Sequence, residues 1–345
     1  MTSTTLTPKS QPFRWVIWLS ALGLALLVLG PSLLRLALNV WLGAIATGLG
    51  FALVALGVYL TFRVLNFPDL TIDGSLPLGA GIAATLITAG VNPYWTLPVS
   101  FLGGALAGIA TALIATRLRI HSLLASILVT TGLLSINLRV MGRSNLPLLN
   151  VDTIFTPFAA PFRTTLVAIG GAGTARLAGN LLAILLFGLL VLAIKWLLDW
   201  FMHTEIGLAL RATGDNPQMI RALGVNTDRM LVLGLALSNG LVGLAGALVA
   251  QYQGFADVNM GLGLIIAGLA AVILGETFFR PTHFATASAA VIVGMVIYRV
   301  AIAAALTISL PLPSGTLALD AQDVKLATAL LVLVALWLTH VQKRR

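Results

Sequence analysis

Apolar runs of bilayer length recur along this chain near 15–34, 41–62, 75–90, 94–116, 122–140, 180–202, 229–251, 261–278, 284–306 and 325–341. A helix crosses the hydrocarbon core of a membrane in about 20 mostly apolar residues, and it satisfies its own backbone hydrogen bonds while doing so. The spacing therefore predicts an all-α integral membrane protein of about ten transmembrane helices, in one domain spanning 1–345. Composition agrees, with 59% of residues hydrophobic and 9% charged, against roughly 25% charged in a globular domain. Mean hydropathy is +1.01.

Basic residues orient the spans. With the N-terminus in the cytoplasm, Lys9, Arg14, Arg63, Arg117, Arg119, Arg211, Arg221, Arg229, Arg280, Lys343, Arg344 and Arg345 fall inside. A smaller set, Arg35, Arg139, Arg143, Arg163, Arg176, Arg299 and Lys325, falls outside. Positively charged connections stay on the cytoplasmic face. The chain is accordingly read as a multi-pass protein of a bacterial cytoplasmic membrane, with both termini inside and 1–14 as a retained cytoplasmic leader. The outside connection 141–179 carries Pro147, Pro157, Pro161 and the run Gly170-Gly171-Ala172-Gly173, and is expected to be loop with at most a short surface helix.

The same inventory excludes several chemistries. There are no cysteines, and the four histidines, at 121, 203, 283 and 340, have no metal-ligand spacing, so neither a metal site nor catalytic residues are expected. No G-x-x-x-x-G-K-S/T pattern is present, so ATP hydrolysis by that route needs another subunit. The net charge of +9 is spread over connections rather than gathered on a face, which speaks for membrane topology and against nucleic acid. Nearly all acidic residues sit at span ends or in loops, which speaks against an ion-coupled secondary carrier. Asp69 and Asp73 reopen that alternative if they lie at membrane depth.

One connection interrupts the hydrophobic pattern in an informative way. Asn66-Phe67-Pro68-Asp69-Leu70-Thr71-Ile72-Asp73-Gly74-Ser75 precedes a short apolar piece broken again by Pro77 and Gly79. Short, Pro- and Gly-interrupted spans point to transport sites, because irregular backbone at depth is tolerated only where protein or a cavity satisfies it. Asn66, Phe67, Pro68, Asp69, Thr71, Asp73 and Ser75 are the candidate substrate path, with Asp73 or Ser75 as cap of the following helix. An ordinary cytoplasmic turn is the other reading. Residues 67–74 are echoed, one residue shorter, by Phe255-Ala256-Asp257-Val258-Asn259-Met260-Gly261. In a ten-span chain the two motifs fall on opposite sides, the relation expected of a 5+5 inverted repeat. Chance similarity of turn sequences is the competing explanation.

Between His203 and Arg229 the chain turns polar while keeping a helical pattern. Ile206, Leu210, Ile220 and Leu223 offer apolar contacts, Arg211, Asp215 and Arg221 offer charge, and Asn216-Pro217 breaks the segment into two short helices. This is the form of a docking element at the membrane face.

The run from Gly207 through Arg211, Gly214, Asp215, Asn216, Pro217, Gln218, Arg221 and Gly224 to Asn226 resembles the cytoplasmic loop of ABC importer permeases of the branched-chain amino acid and ribose class. The FPDLTIDGS stretch is similar to a subgroup often linked to amino acids, including aromatic ones. The resemblance implies a cytoplasmic coupling helix within 203–228, a dimeric permease, and a path between protomers. It also implies cytoplasmic ATP-binding subunits that hold ATP and Mg, and an extracytoplasmic substrate-binding protein. This chain itself would bind no cofactor. An amino acid is the expected cargo, with sugar or nucleoside as the alternative.

Remaining polar residues admit two readings each. Gln251 and Tyr252 form a substrate-receiving outer mouth or an interfacial anchor. Arg299 faces the path or snorkels, with Asp257, Asp320 and Asp323 as candidate partners, and Glu276 is expected to cap or to pair with Arg280. Small-residue clusters such as Gly240, Gly243 and Gly246 read as packing seams.

Overall fold

The computed structural model describes residues 38–171, 174–175, 177–306, 309–312 and 315–318, with 326, 329 and 333. Helix α1 (Leu38–Val58) runs on as a π-helical turn (Tyr59–Val64), followed by α2 (Ile72–Thr88), α3 (Pro93–Arg117) and α4 (Ser122–Met141). Strand β1 (Asn145–Pro147) and α5 (Thr156–Gly170) lead to α6 (Ala178–His203), α7 (Glu205–Asp215) and α8 (Pro217–Ala222). Then come α9 (Thr227–Gln253), β2 (Phe255–Asp257), α10 (Leu264–Phe279), α11 (Phe284–Ala305), β3 (Ser309–Leu312) and β4 (Gly315–Ala318).

Six helices among the described residues are long and apolar enough to cross a membrane: α1 with its π-turn, α3, α4, α6, α9 and α11. The apolar helices α2 and α10 have 17 and 16 residues. At 1.5 Å per residue they rise only about 25 Å, short of a hydrocarbon core of roughly 30 Å. Eight of the apolar runs thus carry a helix. The first run, the leader and all but three residues of the tenth run lie outside the described residues.

The connection after α4 holds a longer surface helix than the short one allowed for. It holds a full helix, α5, because Pro157 occupies its first turn, where a missing N–H costs nothing, and Gly171 (φ 79) ends it. Strand β1 pairs antiparallel with β2, Leu146 opposite Ala256.

Helix α9 is the centre of the packing, lying against α1, α2 and α3. Small residues bring the backbones together: Gly243 lies against Ser100 C=O and Gly104, and Gly246 against Leu76 C=O. Water supplies no squeezing force between helices in a bilayer, so such close approach is what holds them. Hydroxyls add bonds across the seams, Ser100 donating to Gly79 C=O at 2.9 Å and Ser238 to Gly57 C=O at 2.8 Å. Helix α1 lies correspondingly against α6, α9 and α11. One end of the bundle carries α7 and α8; the other carries the β1–β2 pair.

Candidate functional site

Helix α1 widens before it ends. Leu65 N–H donates to Leu60 C=O at 2.9 Å, the reach of a π-turn, a form often found at functional sites, and Phe67 N–H reaches one residue further, to Thr61 C=O at 2.8 Å. Asn66 then enters the left-handed region (φ 51), which asparagine tolerates better than most residues, and helix resumes only at Ile72.

The backbone freed by this break is enclosed by side chains from three other helices. Asp69 is fully buried; its Oδ1 accepts the Thr71 N–H at 2.9 Å and its Oδ2 accepts Asn239 Nδ2 at 2.7 Å. Ser75 donates to Asn239 Oδ1 at 2.7 Å, and the Thr71 and Thr111 hydroxyls share a bond of 2.6 Å. From α4, Thr130 donates to Leu70 C=O at 2.9 Å and Asn137 to Gly74 C=O at 3.1 Å. A buried carboxylate is costly unless it is hydrogen-bonded, and both oxygens of Asp69 are. Asp69 lies beside the middle of α9, with both oxygens engaged. Of the expected path residues, Phe67, Asp69, Thr71 and Ser75 are buried, while Asn66 is exposed and Pro68 and Asp73 are half-buried.

Neither Asp73 nor Ser75 caps α2. Thr71 takes that position without a side-chain bond, and Ser75 is engaged by Asn239. Asp73 instead reaches a different helix: its Oδ2 accepts Gly263 N–H at 3.2 Å and its Oδ1 accepts Ile265 N–H at 3.1 Å. The first turns of α2 and α10 therefore meet inside the bundle. From there α2 runs to the β1–β2 end, which it touches, and α10 runs to the α7 end, where Glu276 pairs with Arg63 at 2.7 Å. That pairing replaces the expected one with Arg280. The two echoed motifs share a local bond as well, since Asp257 accepts Asn259 N–H at 2.7 Å just as Asp69 accepts that of Thr71.

Helices α7 and α8 break at Asn216-Pro217 as expected, and each start is capped. Thr204 accepts Gly207 N–H at 3.3 Å, and Asn216 accepts Met219 N–H at 3.0 Å. The four apolar residues split by face: Leu210 and Ile220 are buried, Ile206 and Leu223 exposed. A Cβ added to Gly207 would strike Phe201 C=O, and one on Gly214 would strike Val64 C=O. Helix α7 thus sits directly on the backbone of the π-turn, one residue from the break. The Arg211 guanidinium lies 5.7 Å over the Phe284 ring, and Arg221 donates to Thr227 Oγ1 at 2.6 Å and reaches Asp228 at 3.3 Å. Asp215, Asn216, Pro217, Gln218 and Gly224 are exposed beside Met219 and Leu223.

Gln251 and Tyr252, expected at an outer mouth or as an anchor, are both engaged within the bundle. Gln251 is buried, its Oε1 accepting Ile154 N–H at 3.0 Å and its Nε2 donating to Thr96 Oγ1 at 3.3 Å. Tyr252 donates to Asn180 Oδ1 at 2.9 Å and packs on the Phe155 and Phe187 rings. Both fasten the connection before α5 to the bundle. Arg299 lies over the Phe51 ring at 4.0 Å with Nε buried and unbonded. Asp257 is not its partner, since it accepts from Asn145 Nδ2 at 3.2 Å. Asp320 and Asp323 lie outside the described residues. Among the described residues no group of acidic and histidine side chains could hold a metal. Sequence reasoning missed Asn239; an amide amid apolar residues in mid-span was the available signal.

The chain matches the family model described as branched-chain amino acid transport system / permease component over residues 40–339. It is 38% identical over 285 residues to the tyrosine transport system permease protein of Clostridioides difficile, covering 83% of this chain and 86% of that one. Identity is 29% over 237 residues to a probable branched-chain amino acid transport permease protein of Methanocaldococcus jannaschii, covering 68% and 72%. It is 26% over 228 residues to the ribose import permease protein of Escherichia coli, covering 66% and 65%. No solved structure matches. With a helical bundle of membrane-crossing length and a family match over nearly all of it, the chain belongs to the ABC permease family of branched-chain amino acid and ribose transport systems.

Proposed function

We propose that this chain is the membrane subunit of an importer that brings an amino acid into the cytoplasm. The likeness over most of both chains to a permease named for tyrosine carries the choice of cargo. In this reading two copies pair, and solute passes between them along the exposed side of the break, Asn66, Pro68 and Asp73. The buried Phe67, Asp69, Thr71 and Ser75 stiffen that surface from behind. Separate ATP-binding subunits hold ATP and Mg in the cytoplasm, and an extracytoplasmic binding protein delivers the cargo. Helices α7 and α8 are the cytoplasmic coupling element: Asp215 to Met219 and Leu223 face outward to an ATP-binding subunit. The seat of Gly214 on Val64 passes movement inward without slack. A ten-span, inverted 5+5 arrangement is supported by α2 and α10 running to opposite ends from a shared origin. The packing of α3 on α9, matched by α11 on α1, and the twin turns at Asp69 and Asp257 support it too.

Reconstitution in proteoliposomes with ATP-binding subunits and a binding protein tests the proposal. The expected result is uptake of labelled tyrosine that requires ATP and every component. Ribose uptake with tyrosine inert would select the second reading, which the Escherichia coli relative favours. Uptake driven by an ion gradient without the ATP-binding subunits would overturn both.

A further inference from the structure

We propose that Asp73 is a positioning residue of the transport cycle, a reversible latch that pins the first turn of α10 to the break and lets go when α7 moves. This rests on the importer reading above. A helix start leaves its first N–H groups without partners, and a side chain at the N-cap usually answers them. Helix α10 has glycine there, Gly263 (φ 84), with no side chain to offer. The motif before α10 is one residue shorter than the motif before α2, and the residue it lacks corresponds to Asp73. Asp73 itself fills the gap from 190 residues away, giving one oxygen to Gly263 N–H at 3.2 Å and the other to Ile265 N–H at 3.1 Å. The same carboxylate sits in the first turn of α2, so its charge favours two helix starts at once.

Geometry makes this contact sensitive to register. A Cβ on Gly261 would strike Asp73 C=O, so the two segments meet backbone to backbone, and a slide of α10 by part of a turn separates both bonds together. Loose enclosure leaves it free to part: Asp73 is half-buried and Gly263 exposed, whereas Asp69 is sealed. Position connects it to α7, because Gly214 bears on Val64 and Leu65, the residues that lead into the break just before Asp73.

The test uses the permease reconstituted with its ATP-binding subunits and binding protein, comparing Asp73→Ala and Asp73→Asn with wild type. Loss of a side-chain helix cap shifts a two-state balance about fivefold. The expected outcome is therefore a fall of about that size in the ratio of cargo-stimulated to basal ATP turnover for Asp73→Ala. Asp73→Asn, which keeps one acceptor oxygen, should lie between it and wild type. Hydrogen exchange in wild type should be slow at Gly263 and Ile265 at rest and faster with a non-hydrolysable ATP analogue; this measurement decides if the alanine variant fails to assemble. An unchanged ratio with only a lower melting temperature, or exchange indifferent to nucleotide, would reduce Asp73 to a static cap and overturn the proposal. Wild type showing no stimulation at all would instead overturn the importer reading, and the latch with it.

Discussion

Asn239 joins distant parts of the chain through one amide group, donating to Asp69 and to Leu235 C=O and accepting from Ser75. Asn239→Leu keeps the volume but leaves a carboxylate oxygen of Asp69 buried without that donor. The expected loss is about 2–3 kcal/mol, because an orphaned charged acceptor costs its full desolvation. Adding Asp69→Leu should restore part of the loss, since replacing both partners by apolar groups removes the orphan. Thermal unfolding of the purified single and double variants in detergent checks both outcomes. The sequence exposes Asp69 as a polar residue in an awkward place. It does not show that the answering amide stands 170 positions away, because that pairing is created by the packing of α9 on α2 and α3. The same holds for Asp73, whose local spacing predicts a cap for its own helix, while the bundle presents it with another.

Between the π-turn and α7 the contact is backbone against side-chain-free backbone, and it tolerates no added atoms. Gly214→Val should push α7 off Val64 at a cost of about 1–3 kcal/mol of overpacking. That should lower cargo moved per ATP hydrolysed about tenfold while the variant still assembles with its proposed partners. Gly132→Ala, in open space on α4, should change neither rate. Paired measurements of uptake and phosphate release in proteoliposomes decide it. Among the secondary-structure elements, the eight helices over apolar runs were legible because bilayer burial writes itself into composition. The start of α2 at Ile72 was not, since Asp73 and Ser75 look like loop residues until Asn239 and the α10 amides engage them. The length of α5 was obscured by prolines that read as breakers, although Pro157 starts the helix and Pro161 lies within it.

Taken together, the bundle has two distinct ends, and the absence of cysteine from the chain makes their placement directly measurable. Gln218→Cys on the exposed edge of α8 should react with a membrane-impermeant thiol reagent only in inside-out vesicles. Asn259→Cys, exposed beyond β2, should react only in right-side-out vesicles. The reverse pattern would place α7 and α8 outside the cell and remove their access to ATP. The meeting of α2 and α10 carries a consequence for the ancestry of such a chain. If the halves descend from one duplicated gene, they have since become lock and key. A protein assembled from two copies of the first would confront one aspartate with another, and one assembled from two copies of the second would leave bare amides facing each other. Duplicating either half alone would give up the present complementarity of carboxylate and amides.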